Sequence, residues 1–121
     1  MKSENIIKTK SYAFAVRVVN LYKYLSIEKK EFVMSKQLLK AGTSVGALIM
    51  EAENAESKKD FIHKLSISQK EANETNYWLS LLKDTDYIST SEFASLENDC
   101  IELQKLLTSI LKTAKNNLIK N

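Results

Sequence analysis

The chain has 121 residues, with no proline, two glycines, one cysteine and one histidine. That length fits one domain. The scarcity of turn formers disfavours an all-β fold, two glycines are too few for a dinucleotide fingerprint, and a single cysteine excludes an internal disulfide and a cysteine-cluster zinc site. Basic residues number 18 against 15 acidic ones, a net charge of +3, and the excess sits at the start, where Lys2, Lys8, Lys10, Arg17 and Lys23 face Glu4 alone over residues 1–27.

The first predicted helix runs from Thr9 or Lys10 to Ser26. Ala15, Val18, Val19, Tyr22 and Leu25 recur at three- and four-residue steps and form one apolar stripe, which Phe14 and Leu21 widen. Residues 1–8 either fray or extend this helix. Ser26 is the expected N-cap of a second helix over Lys29–Asn54, with Leu38, Ala41, Val45, Leu48, Ile49 and Ala52 on its buried face. Gly42 and Gly46 fall inside that helix, where each glycine costs about 1 kcal/mol relative to alanine. Their four-residue spacing puts them on one face, with Thr43 and Ser44 beside them, and predicts close approach of a neighbouring backbone.

Ser57 and Asp60 have the spacing of a capping box and open a third helix over Lys58–Lys83. Its inward face reads Phe61, Leu65, Ser68, Ala72, Thr75, Leu79 and Leu82, with Ile62, Trp78 and Leu81 to the side. Ser89 or Thr90 caps a fourth helix over Ser91–Leu118, whose stripe is Phe93, Leu96, Cys100, Leu103, Leu107, Ile110, Leu111, Ala114 and Leu118. Short connections make neighbours antiparallel. The expected fold is all-α, a single up-down-up-down four-helix bundle spanning residues 1–121. The N-terminal stretch lacks the apolar run of a signal peptide or a membrane anchor, so the expected location is cytoplasmic, with no membrane partner.

Little in the chain carries catalytic chemistry. A di-iron bundle needs paired Glu-x-x-His motifs, and His63 is the one histidine. Glu71 and Glu74 lie one turn apart and are expected to pair with Gln37, Lys40 or another basic group rather than to do acid–base work. His63 is expected at the surface, and Cys100, on an apolar stripe, acts as a small hydrophobe. The expectation is no enzyme, no cofactor and no metal.

Three stretches carry a resemblance. The run Gln37-Leu38-Leu39-Lys40-Ala41-Gly42-Thr43-Ser44-Val45-Gly46-Ala47, followed by Glu51-Ala52, resembles the second helix of the 23S rRNA intervening-sequence protein family. Ser57-Lys58-Lys59-Asp60-Phe61-Ile62, Lys70-Glu71-Ala72-Asn73-Glu74-Thr75 and Trp78-Leu79 are similar to its third helix, and Ser11-Tyr12-Ala13-Phe14-Ala15-Val16 with Leu21-Tyr22 to its first. Leu48 stands where the family usually has Asn, and it suits the apolar stripe. The resemblance implies a small four-helix bundle without known enzymatic activity. It extends to the accessory variability proteins of diversity-generating retroelements, which form barrel-like homopentamers with a basic surface and are associated with nucleic acid and a reverse transcriptase. By resemblance, the expected partners are further copies of the chain as a homopentamer, RNA or DNA, and a protein such as a reverse transcriptase.

Two functions fit this reading. One is a ring-forming accessory protein that binds nucleic acid without sequence preference through Lys8, Lys10, Arg17 and Lys23, with Tyr12 and Tyr24 available for stacking. The other is a protein-interaction scaffold whose lysines only solvate it. Arg17 is the one arginine among 18 basic residues, and that scarcity favours the scaffold. For the oligomer, Gly42, Gly46, Ile62, Trp78 and Leu81 are the expected contact and close-packing residues.

Overall fold

The computed structural model describes residues 2–120 and shows four helices: α1 (Lys2–Ile27), α2 (Met34–Glu53), α3 (Lys58–Asp84) and α4 (Thr90–Lys120). Each helix packs on its sequence neighbours, and α1 closes on α4, so the four form an antiparallel bundle with up-down-up-down order. One apolar core runs along the axis. Phe14, Val18, Leu25, Leu38, Val45, Leu79, Leu82, Leu103 and Leu107 are all sealed within it.

The first helix begins earlier than its period suggests. Residues 5–8 are helical, and Ile7 is 1% exposed, a core residue one turn before the expected start. The buried line on α1 is Ile7, Phe14, Val18, Leu21 and Leu25, while Ala15, Val19 and Tyr22 are half-buried beside it.

The second helix begins at Met34 rather than Lys29. Ser26 does not cap it, because that hydroxyl lies inside α1 and donates to the Tyr22 carbonyl at 2.8 Å. The chain turns at Lys30, whose φ of 55° is left-handed. Glu31 then folds back, and its carboxylate accepts the N–H groups of Val33 at 3.2 Å, Met34 at 3.1 Å and Ser35 at 2.7 Å. These are the orphan donors that every helix start must satisfy, and an anion there also suits the helix dipole.

The other two starts follow local signals. Ser57 Oγ accepts from the Asp60 N–H at 3.0 Å, and the Asp60 carboxylate reaches back to the Glu56 N–H at 3.2 Å. Ser89 Oγ accepts from the Glu92 N–H at 3.0 Å, and Glu92 returns the favour to the Ser89 N–H at 3.3 Å, a reciprocal capping box.

Close packing between helices uses small residues. A Cβ placed on Gly42 would lie 2.8 Å from both methyl carbons of Val18, so α1 fills the space that a side chain would need. Gly46 sits beside the Ser11 carbonyl, where a Cβ would come to 3.4 Å. On the opposite flank of α2, the buried Ser68 hydroxyl of α3 donates to the Val45 carbonyl at 2.9 Å.

Candidate nucleic-acid interface

The fold separates the basic residues of α1 and engages three of the four candidates with carboxylates. Lys8 turns towards α2 and pairs with Glu53 at 2.9 Å. Lys10 and Arg17, seven residues apart, face α4. Lys10 meets Glu102 at 3.1 Å. Arg17 meets Asp99 at 2.7 Å and also donates to the Ser95 hydroxyl at 2.9 Å. Such half-exposed pairs contribute about 0–1 kcal/mol each, yet they neutralise the field that a polyanion would feel. Lys23 is exposed and makes no ion pair with a described residue.

The partners explain where free positive charge lies. Along α4 the acids Glu92, Glu97, Asp99 and Glu102 all precede the lysines Lys105, Lys112 and Lys115, and no acid follows Glu102. The acidic half meets α1 and takes up Lys10 and Arg17. Lys105, Lys112 and Lys115 in the other half are exposed and make no ion pair with a described residue. The α3–α4 register is fixed by Gln69 Nε2 donating to Thr108 Oγ1 at 2.7 Å and by a hydrogen bond from Gln104 to Asn73. Continued along the antiparallel pair, it sets exposed Lys58 and Lys59 at the α3 start level with the end of α4. Segment totals hid this, because residues 88–121 balance as a whole. The charge order along α4 was the available signal.

The expected oligomer residues have varied places. Gly42 is buried under Val18 within one copy, and Gly46 is half-buried in an open groove lined also by Tyr12, Ala15, Thr43 and Met50. Ile62 and Trp78 are half-buried and pack against the core, and Leu81 is half-buried. The Trp78 indole N–H donates to Glu74 at 3.1 Å, and its ring meets Tyr77 edge-on at 5.1 Å between centroids.

Other polar groups are engaged singly. Burial, then the neighbouring Glu74 charge, raises the Glu71 carboxyl above its ordinary value, and Lys40 and Lys70 oppose that rise. His63 is exposed. The buried Cys100 thiol donates to the Ala72 carbonyl at 3.2 Å. Burial, with Glu97 and Asp99 nearby, pushes it up to about 12. A thiol reagent at pH 8 is therefore expected to label the folded protein about a thousandfold more slowly than the urea-unfolded chain, as a timed absorbance assay would show. Equal rates would contradict this placement.

A cavity of about 500 Å³ opens where the helices meet the turn at residues 54–57, lined by apolar residues such as Ile7, Ile49, Phe61 and Ile110 together with polar ones such as Lys8, Glu53 and Lys58. Among the described residues, no group of three or more His, Cys, Asp or Glu side chains is placed to hold a metal ion, and no helix is long and apolar enough to cross a membrane.

These features define a small all-α four-helix bundle. The chain belongs to the 23S rRNA-intervening sequence protein family, whose model matches residues 3–109. A solved protein of unknown function from the S23 ribosomal protein family of Bacteroides thetaiotaomicron VPI-5482 is 59% identical to it. The two superimpose with a TM-score of 0.90 over 91% of this chain and 98% of that one. No curated protein matches the chain.

Proposed function

We propose that the protein is a non-enzymatic accessory bundle that works as a homo-oligomer, a pentamer by family resemblance, and holds RNA or DNA without sequence preference. The observation that carries this reading is the acid-free second half of α4. There Lys105, Lys112 and Lys115 stand exposed and without ion pairs to described residues, and Lys58 and Lys59 of α3 lie level with the end of the same helix. A pentamer repeats that patch five times, so weak single contacts add through multivalency. Lysine without arginine suits phosphate attraction rather than base reading.

The test is binding of mixed RNA and DNA fragments between about 50 and 300 mM salt, where counterion release makes affinity fall steeply. Lys112→Glu with Lys115→Glu is expected to weaken binding at least about tenfold at the lowest salt. Lys10→Gln, at an already neutralised site, is expected to change it less than about twofold. Undiminished binding by the double reversal, or no binding by the native chain, overturns the reading. A protein-interaction scaffold is the second reading. The engagement of Lys8, Lys10 and Arg17 by Glu53, Glu102 and Asp99 favours it. A protein partner, such as a reverse transcriptase, retained after nuclease treatment would support it.

A further inference from the structure

The two ends of the bundle close differently. At the end formed by the α1–α2 and α3–α4 connections, Leu25, Leu82, Ile88 and Phe93 are buried, and Met34 and Tyr87 pack against them. At the other end the sealed core stops at Ile7, Ile49, Leu65 and Ile110. One turn further out stand Ala52 on α2 and Ala114 on α4, with Phe61 half-buried on α3. Two alanines do not fill the space that isoleucine and phenylalanine fill at the opposite end, and the cavity of about 500 Å³ lies there. Protein interiors pack like organic crystals and leave few voids larger than a water molecule. A volume of this size falls instead in the range of small-ligand sites.

Floor and mouth differ in chemistry. The floor is aliphatic and aromatic. The mouth carries the charged side chains of Lys8, Glu53 and Lys58, and the exposed neutral polar residues Asn5, Thr113 and Asn117. Lys8 and Glu53 meet at 2.9 Å, so their charges cancel. Lys58 is exposed and makes no ion pair with a described residue. Asp60, two residues on, is turned back to the Glu56 N–H and does not line the cavity. The described lining therefore holds one unmatched positive charge, and holds it at the rim of an apolar space.

We infer that this cavity binds a free single-chain fatty carboxylate of medium length, its tail among Ile7, Ile49, Phe61 and Ile110 and its head group at Lys58. Charge complementarity selects the head. One unmatched ammonium calls for one negative charge, and a carboxylate accepts from it a charge-assisted hydrogen bond. The floor selects the tail. Its walls are side chains of carbon alone, so a sugar or a nucleobase would leave polar atoms unpaired there, at a cost that an alkyl chain does not meet. The tail takes the place of the large side chains that Ala52 and Ala114 do not supply. The site lies inside the end of the bundle, and it depends on neither the oligomer nor the nucleic-acid reading.

The experiment is calorimetric titration of the full chain with octanoate and decanoate, below the concentrations at which they form micelles, with methyl NMR to place the ligand. Decanoate is expected to bind about tenfold more tightly than octanoate, because each further buried methylene strengthens binding about fourfold at most. Decylamine has the same tail and the opposite charge, and is expected to bind about tenfold more weakly than decanoate. Lys58→Glu is expected to reverse that preference. Ala114→Leu fills the outer layer and is expected to abolish decanoate binding while circular dichroism shows native helicity. On binding, the methyl resonances of Ile7, Ile49 and Ile110 are expected to shift, and those of Ile88, at the far end, to stay. Absence of decanoate binding by the native chain overturns the site, and so do shifts at Ile88 without shifts at Ile7, Ile49 and Ile110. A folded Ala114→Leu chain that binds decanoate as the native chain does also overturns it. If Ala114→Leu does not fold, the exposed Lys58→Glu decides, and an unchanged preference for carboxylate over amine is the contrary result. Retention on phosphatidylglycerol vesicles with no uptake of decanoate points to a lipid surface and overturns the site as well.

Discussion

Replacing Glu31 with alanine is expected to lower stability by about 2–3 kcal/mol, the scale of losing hydrogen bonds to a charged acceptor. One carboxylate closes the start of α2 by accepting three backbone N–H groups, and its residue is only 9% exposed. Alanine leaves those donors facing a partly buried space that water satisfies poorly. Burial alone would raise the Glu31 carboxyl, but the hydrogen bonds from Ser35, Met34 and Val33 outweigh it and hold the group below its ordinary value of 4.5. A carboxyl depressed in the folded state stabilises fully above its unfolded value, and that contribution is lost as pH falls through the lower folded value. Urea unfolding of the native and Glu31→Ala chains should therefore differ most near pH 7 and converge as the pH drops below about 4. A constant difference across that range would contradict a charged cap.

The second large effect is expected at Gly42. Leucine there has no room, because even a Cβ meets both Val18 methyl carbons at 2.8 Å, and Val18 is fully buried. Overpacking a filled core costs typically 1–3 kcal/mol and occasionally more, and helix propensity returns only part of that relative to glycine. Gly42→Leu is expected to cost about 3 kcal/mol, at the upper part of that range. Thermal unfolding should report a fall on the order of 10 °C. Val18→Ala in the same chain makes space, so the double variant should be more stable than the two single losses added together. Strict additivity in that cycle would show that the two residues do not share the space.

Much of the bundle was legible in the residues themselves. Period alone marked Phe93, Leu96, Cys100, Leu103, Leu107, Ile110 and Leu111 as the inner face of α4, and all are buried. Ser57 announced its helix start, and Ser89 or Thr90 the next, with Ser89 the one that caps, because a cap is a contact between residues three apart. The start of α2 was misplaced for a related reason. Glutamate is not a usual capping residue, and its longer side chain reaches the N–H groups only after Lys30 has turned the chain. Ile7 was missed because one apolar residue before the clear stripe has no period of its own.

The sequence by itself determined the number of helices, most of their inward faces and the spacing that brings Gly42 and Gly46 to one side. Those features depend on bonds along one helix and on steps of three or four residues. Only the tertiary structure decided which charges are free. The partners of Lys8, Lys10 and Arg17 lie on helices distant in the chain, at Glu53, Glu102 and Asp99. Coulomb attraction acts through space, so a net charge counted along a segment says nothing of which lysines still face water. The fold pairs Lys8, Lys10 and Arg17, and leaves Lys23 of α1 and Lys105, Lys112 and Lys115 of α4 exposed without an ion pair to a described residue.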